Sequence, residues 1–347
     1  MAEVFACQVE VLDGSTVSID VNKRTIGEVL LSEVFKHLGL EETDYFGLQY
    51  LDSKEQVHWL DPQKIIKKQV KKGRFNFRFR VKLYPVSVTF LFEEATRYFL
   101  ALQLKEDLLN EKLFCSEDTL AVMNSLIVQG EAGDFDPVDH SDGYLDDFPS
   151  LEDKPLEFKS KVAELHQRNH GLLPAECDKR FLDVACRLER YGMDFHPVLD
   201  ISSINLLLGI SAKGVTVFCG EQPFLTPLNN FPWVRIAGVN FKGKQILFEM
   251  VTPPTEKYTE VIVFHCPTRQ ICKTLWKSCV EHHTFFRTVR TDNIRRPSTN
   301  SLFRRGSTFR FSGRTQFKLL QEGTQSRRSS RRFERISSRN RSGRRTM

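Results

Sequence analysis

The stretch from Phe231 to Arg287 constrains the fold of this chain more tightly than any other. Within it, Ile271, Cys272, Leu275, Trp276, Cys279 and Val280 recur at three- and four-residue intervals, while Lys273, Lys277 and Glu281 fall together on the opposite side. That pattern predicts a helix over Ile271–Phe286 with one apolar face, which must be buried. Three strand-like segments precede it, Trp233–Phe241, Gln245–Val251 and Glu260–Cys266, rich in β-branched and aromatic residues and broken at Gly243 and Pro253-Pro254. Short strands closed by one amphipathic helix predict a small sandwich or barrel with the helix over one open end. A domain of that kind binds other molecules and leaves their bonds intact.

A length of 347 residues implies two or three domains, and a hydrophobic fraction of 40% is enough to give them cores. No run of 18 apolar residues occurs, and Met1-Ala2-Glu3 does not begin a basic-then-apolar leader, so a cytoplasmic protein without a transmembrane segment is expected. The eight cysteines are scattered without C-x-x-C spacing, and Cys186, Cys272 and Cys279 lie on apolar faces, which predicts free buried thiols in a reducing compartment. The net charge of +6 hides a strong asymmetry. Residues 287–347 hold 18 Arg or Lys against three acidic residues, whereas residues 1–286 hold 32 basic against 41 acidic ones. The chain reads as an acidic globule with a basic tail.

Residues 4–12 and 16–21 alternate apolar and polar positions across Asp13-Gly14, a strong hairpin signal. The run Ile26–Leu38 sets Ile26, Val29, Leu30, Val34 and Phe35 on one helical face and stops at Gly39. Strand-like pieces follow at Phe46–Leu51 and Phe75–Leu83, the order of a ubiquitin-like grasp, with Pro85 as its expected boundary. From Glu93 to Asp194 the period becomes helical, through Tyr98, Leu102, Leu108 and Leu109, then Leu120, Met123 and Ile127, then Phe181, Val184, Ala185 and Leu188. A helical bundle is expected there, interrupted by an Asp-, Pro- and Gly-rich loop over Gly133–Ser150. After His196-Pro197 strands return, including Leu206–Ile210 and Val215–Cys219. Beyond about Asn293, Arg and Ser dominate and too few apolar residues remain to offset the entropy of ordering, so this segment is expected to be disordered.

Several motifs then follow one another along residues 1–290. They are Asp44-Tyr45-Phe46-Gly47-Leu48 with His58-Trp59-Leu60; Thr96-Arg97-Tyr98; Gly133-Asp134-Phe135-Asp136-Pro137 through Gly143-Tyr144-Leu145; Tyr191-Gly192-Met193; and Leu275-Trp276 through Val280-Glu281-His282-His283-Thr284-Phe285-Phe286. In that order they resemble the FERM domain of the band 4.1, ezrin, radixin and moesin superfamily. The continuation Gly306-Ser307-Thr308-Phe309-Arg310-Phe311-Ser312-Gly313-Arg314-Thr315 resembles the FERM-adjacent segment of the protein 4.1 branch. The resemblance implies an α+β multidomain fold, a three-lobed FERM clover. Its lobes would be a ubiquitin-like β-grasp over 1–84, an acyl-CoA-binding-protein-like helical bundle over 85–194, and a PH/PTB-like β-sandwich with a C-terminal capping helix over 195–290. A FERM-adjacent, Arg/Ser-rich and largely disordered basic segment would occupy 291–347.

The family also implies sites. Lys64, Lys67, Lys68, Lys71 and Lys72 form a dense basic run, for which a solvated charged face is the plain reading. Ezrin-type FERM domains, however, take an inositol phosphate headgroup between the first and third lobes, which implies Lys64, Lys68 and Lys273 as phosphoinositide-binding residues. The strand Gln245–Val251 beside the helix Ile271–Phe286 matches the family's edge groove for peptides from membrane-protein tails, with Gln245, Ile246, Leu247, Phe248 and Leu275 as groove residues and strand addition as the mechanism. The plain alternative is that Ile246, Phe248, Leu275 and Trp276 are core. Three Arg-Arg-x-Ser matches end at Ser298, Ser307 and Ser330, candidate sites for a basophilic kinase.

Catalytic and metal readings lack their required spacing. His265-Cys266 followed by Arg269 suggests a cysteine-phosphatase loop, but Cys272 stands where the essential Arg belongs. Asp134, Asp136, Asp139 and Asp142 approach a calcium loop, yet Asp139 occupies the position that needs Gly. Cys272, Cys279, His282 and His283 have no zinc-ligand spacing, and no Walker, GxGxxG or GxSxG sequence occurs. The expectation is a non-enzymatic membrane-to-cytoskeleton adaptor without cofactors, at the cytoplasmic face of the plasma membrane. Its partners would be cytoplasmic tails of membrane proteins, anionic lipid headgroups and, indirectly, cytoskeletal proteins. Two alternatives remain: nucleic-acid binding through the Arg/Ser tail, which an acidic globule without an RNP-type motif disfavours, and the non-catalytic N-terminal part of a larger FERM-containing phosphatase.

Overall fold

Alternation in the first residues produces β1 (Val4–Glu10) and β2 (Thr16–Asn22), antiparallel with Val9 opposite Val17. Between them Gly14 adopts a φ of 80° and Asp13 Oδ1 accepts from Ser15 N at 2.8 Å, so the turn is held by its own side chain. The computed structural model describes residues 4–70, 75–140, 143–221, 224–251, 260–286, 313–325 and 335. These fall into two compact units, one running to Tyr191 and including Arg335, the other running from Gly192 to Arg327.

In the first unit α1 (Gly27–Leu38) ends on Gly39, whose φ of 65° is the left-handed cap that its position suggested. Leu30 and Val34 are fully buried, but Val29, expected on the same face, is 49% exposed. Consecutive helical residues are turned about 100° apart, and with Leu30 at the centre of the contact its neighbour is carried outward. After β3 (Phe46–Leu51), β4 (Val57–Trp59), α2 (Ile66–Gln69) and β5 (Asn76–Val81), the sheet has the order β2-β1-β5-β3-β4. β1 and β5 run parallel, with Val9 opposite Phe77, and the other neighbours are antiparallel. This is the ubiquitin-like grasp. β4 and α2, at three and four residues, are too short to leave a period in the sequence.

Four helices follow: α3 (Glu94–Leu109), α4 (Glu117–Ala132), α5 (Leu156–Arg168) and α6 (Pro174–Ala185). Ser116 caps α4 by accepting from Thr119 N at 3.3 Å, and Pro174 opens α6 where its missing N–H costs nothing. Buried residues lie around nearly the whole of α3, because it packs on both the grasp and α6. Phe99 meets Phe79 edge-on at 5.6 Å and Phe46 at 6.5 Å. Polar residues inside it have partners: Gln103 Oε1 accepts from Val81 N at 3.3 Å, and Asp107 Oδ2 accepts from the Tyr84 hydroxyl at 2.8 Å. Leu109, expected on the apolar face, is exposed at the last turn, while Leu104 is fully buried. A reciprocal clasp joins the grasp to the bundle. The Glu93 carboxylate accepts from Glu42 N at 2.9 Å, and that of Glu42 accepts from Glu93 N at 2.9 Å.

The Asp-rich loop after α4 is structured by what it buries. Leu145 and Leu151 join Ala121, Val128, Phe158 and Val162 in one core cluster. His166 on α5, fully buried, lies 2.8 Å by Nε2 from Gly133 O and 3.1 Å by Nδ1 from the Tyr144 hydroxyl. A carbonyl only accepts, so Nε2 carries the hydrogen and Tyr144 donates to Nδ1 of a neutral ring.

The second unit is an antiparallel seven-stranded sheet of order β10-β11-β12-β6-β7-β8-β9. Its strands are β6 (Asp194–Leu199), β7 (Asn205–Ser211), β8 (Gly214–Cys219), β9 (Thr226–Pro232), β10 (Ile236–Lys242), β11 (Gln245–Met250) and β12 (Val261–His265). The helix α7 (Arg269–Phe286) packs on β7, β10 and β11. Pro197 hides β6 from sequence inspection. The strand tolerates it because β6 meets β12 through the single pair His265–Leu199, so most of one edge forms no ladder among the described residues. Part of the basic tail is ordered, against expectation. α8 (Gln316–Gln325) packs on α7 and buries Leu319, and Thr315 Oγ1 accepts from Lys318 N at 3.4 Å at its start. The reason is a short apolar island, Phe317, Leu319 and Leu320, in an otherwise Arg- and Ser-rich stretch.

Burial holds the His166 imidazole below its ordinary range, against an upward pull from the Gly133 carbonyl. The unfolded chain therefore takes up this proton first as pH falls, and stability from His166 is present above the ordinary histidine range and lost on acidification. The melting-temperature gap between the wild type and His166→Gln is expected to narrow from about pH 7.5 to about pH 5. A gap independent of pH in thermal melts would contradict the neutral, buried assignment.

Candidate functional site

Everything that shapes the candidate docking surface of the second unit follows from how α7 is seated. Thr268 Oγ1 accepts from Ile271 N at 3.1 Å at its first turn. Its inner face, Cys272, Leu275, Trp276, Cys279, His282, Phe285 and Phe286, is buried. Two side chains then reach the backbone of β10. Trp276 Nε1 donates to Val239 O at 2.9 Å, and His283 Nε2 lies 2.9 Å from Ile236 O. The Phe241 and Trp276 rings meet at 5.1 Å, so β10 and α7 form one continuous surface.

The strand Gln245–Val251 does not present the sheet edge expected of it. β11 pairs with β10 on one side and β12 on the other, leaving β10 and β9 as the outermost strands. The physical reason is the tight turn at Gly243, which folds β10 back along β11 and covers it. Of the five groove residues, Ile246, Phe248 and Leu275 are at most 1% exposed and belong to the core, while Gln245 and Leu247 are half-buried on the other face of the sheet. The Gln245 amide nitrogen lies 2.8 Å from His265 Nε2. The far edge, β9, is guarded differently: Pro227 and Pro232 remove donors, and a register shift against β8 at Val217/Phe218 bends it.

Lys64 lies just before α2 and Lys68 within it in the first unit, and Lys273 is exposed on α7 in the second. Lys64 Nζ is 2.5 Å from Asp61 Oδ2, so part of its charge is locally balanced. Lys71 and Lys72, and the three candidate phosphorylation sites Ser298, Ser307 and Ser330, lie outside the described residues.

Asp134 is a clasp: its Oδ1 accepts from Gly171 N at 2.7 Å and from the Gln129 amide at 2.8 Å, and these bonds hold its carboxyl below the usual range. Asp136 accepts from Val138 N at 2.7 Å. Among the described residues no group of three or more His, Cys, Asp or Glu side chains could hold a metal. Cys279 is buried and its thiol pushed well up by desolvation, the reverse of what a nucleophile requires. A concavity of about 780 Å³ on the first sheet is lined by Gln8, Glu10, Tyr50, Asp52 and Arg78, and Asp52 Oδ2 lies 3.1 Å from His58 Nε2.

A grasp, a helical bundle and a PH-like sheet closed by α7 occur here in one order, and three family profiles match in that order. They are the FERM N-terminal domain over residues 9–72, the FERM central domain over 87–196 and the FERM C-terminal PH-like domain over 200–294. The chain belongs to the FERM family. Band 4.1-like protein 3 of Homo sapiens is 39% identical to it over 332 residues, covering 96% of this chain and 30% of that protein. Protein 4.1 of Bos taurus is 38% identical, covering 96% of this chain and 53% of that protein. Human tyrosine-protein phosphatase non-receptor type 4 is also 38% identical, with 95% of this chain and 35% of that protein covered. The chain thus spans only about a third to a half of these curated relatives. The solved FERM and C-terminal domain complex of Drosophila Merlin shares the fold, with a TM-score of 0.74 at 24% identity over 81% of this chain and 96% of that one.

The FERM surface at β10 depends on the Trp276 indole. Trp276→Phe keeps the ring packing but leaves Val239 O without its donor, at an expected cost of about 1–2 kcal/mol in denaturant unfolding. An unchanged midpoint would show that the bond contributes nothing to holding β10 on α7.

Proposed function

We propose that this chain is a non-catalytic adaptor at the cytoplasmic face of the plasma membrane. In this reading its FERM lobes, assigned to residues 1–84, 85–194 and 195–290, hold cytoplasmic tails of membrane proteins and anionic lipid, and connect them indirectly to the cytoskeleton. The observation that carries it is the outermost strand β10 lying against α7 in a FERM PH-like lobe. Extended peptides bind such edges by adding a strand, with main-chain bonds giving affinity and neighbouring pockets giving selectivity. Because β11 is covered, the accepting segment is Ala237–Lys242, with the Phe241–Trp276 pair beside it. The match to a tyrosine-protein phosphatase supports a second setting, in which the same lobes form the targeting part of a longer enzyme.

Lys64, Lys68 and Lys273 are the proposed phosphoinositide contacts. Each basic residue near an anionic membrane contributes about 1 kcal/mol, enough for three to set a useful affinity. Ser298, Ser307 and Ser330 are the proposed switch, since each phosphate adds about −1.5 to −2 charge to the basic 291–347 segment.

Vesicle co-sedimentation with phosphatidylinositol bisphosphate tests the lipid part. Lys64→Glu, Lys68→Glu and Lys273→Glu together are expected to weaken binding at least about tenfold, and aspartate at the three serines to weaken it further. Undiminished binding removes the assignment concerned. For the peptide part, a bound membrane-protein tail is expected to slow hydrogen exchange at Ala237–Lys242. Protection that appears elsewhere and spares this strand would refute strand addition at β10.

A further inference from the structure

Far along the basic tail, one arginine reaches the helices of the first unit. Arg335 Nε donates to Glu94 Oε1 at 2.9 Å, and its Nη1 donates to Asp178 Oδ2 at 2.7 Å. The guanidinium carbon lies 5.4 Å from the centroid of the Tyr98 ring. Glu94 and Tyr98 stand one turn apart on α3 and Asp178 projects from α6, so the two helices converge on a single cation. The Arg335 side chain is 21% exposed and that of Asp178 only 8%.

Neither an adaptor function nor membrane binding accounts for this cluster. Asp178 sits beside Cys177, Phe181 and Leu182, all at most 2% exposed, where an uncompensated carboxylate is strongly unfavourable. The local cation on α3, Lys105, is committed to Glu131 at 2.9 Å. With Lys105 paired to Glu131, the Glu94 and Asp178 carboxylates both turn to the one guanidinium of Arg335. Burial pushes the Asp178 carboxyl up, and Lys105 and Arg335 pull it back down. The geometry also discriminates between cations. Two carboxylates are met by different N–H groups of one flat guanidinium while its face covers an aromatic ring, which a single ammonium cannot reproduce.

We propose that Glu94, Tyr98 and Asp178 form an arginine-binding pocket on the helical lobe, and that its occupant is the chain's own Arg335. The pocket selects arginine over lysine and works in cis, tying residue 335 to the α3–α6 pair. This makes the tail more than a diffuse positive charge, because one of its residues has an address.

The test uses the whole chain and a fluorescent synthetic peptide of residues 330–341 as probe, read by anisotropy at moderate salt. In the wild type the cis occupant fills the pocket and the peptide binds weakly. In Arg335→Ala the vacated pocket is expected to bind the peptide at least tenfold more tightly, and adding Asp178→Asn is expected to return binding to the wild-type level. A peptide with Lys in place of Arg335 has the same charge and is expected to bind the Arg335→Ala chain at least fivefold more weakly, which separates recognition from attraction of a basic peptide to an acidic globule. Should Arg335→Ala fail to fold, Arg335→Lys in the full chain serves instead, because it keeps a cation but loses the two-carboxylate contact. Equal peptide binding by wild type and variant, an equally good Lys peptide, or indifference to Asp178→Asn would each overturn the proposal.

Discussion

The second unit depends on burying one face of α7. A sheet of seven strands leaves one of its faces in need of a cover, and α7 supplies it with Cys272, Leu275, Cys279 and Phe285, all at most 1% exposed. Once that face is fixed, the polar atoms at its rim have little freedom. Trp276 Nε1 and His283 Nε2 fall within 2.9 Å of β10 carbonyls, so the outermost strand is held in place by the helix. A recognition edge needs this property, because a frayed strand must be ordered again when a peptide binds, and that ordering subtracts from the affinity. β9 solves the opposite problem, since prolines and a register shift make it a poor template. The asymmetry between the two edges, one rigid and one blunted, favours binding at β10.

In the first unit α3 plays the corresponding part, with polar chemistry inside. Gln103 and Asp107 are buried and would be unfavourable if unpaired, but they engage Val81 N and the Tyr84 hydroxyl from the grasp side. The Glu42–Glu93 clasp adds two carboxylates that each accept a backbone N–H from the other's residue. Hydrogen bonds of this kind specify register more than they add stability, because a shift by one residue would strand every partner.

Legibility in the sequence followed segment length and the range of the contacts. The Asp13-Gly14 hairpin, α1 with its Gly39 stop and the face of α7 are local patterns repeated over several turns or strand residues, and the structure shows each of them. β4 and α2 are barely longer than one period, and Pro197 and Pro227 disguise β6 and β9, so none of the four leaves a repeating pattern in the sequence. The same limit applies to the site. The sequence marks Gln245–Val251 as a strand beside the α7 helix, but which strand lies outermost is a matter of sheet order, and sheet order is non-local. Ile246, Phe248 and Leu275 carry the strongest apolar signal for the same reason that they are buried, so they are poor markers of an accessible groove.

Charge bookkeeping shows the same divide between the local and the distant. The contrast between an acidic region over 1–286 and a basic one over 287–347 is plain in the sequence, and mean attraction between them is expected in water at low salt. Mean attraction is screened within about 10 Å at ordinary ionic strength and cannot choose one arginine among many. Selection requires desolvation, since only where water is excluded does an unpaired carboxylate become costly enough to demand a particular partner. Asp178 is such a carboxylate, made so by Phe181 and Leu182 on the same helix. The apolar pattern that builds α6 therefore also determines which charge of the tail is worth holding, although nothing in the spacing of the arginines themselves announces it.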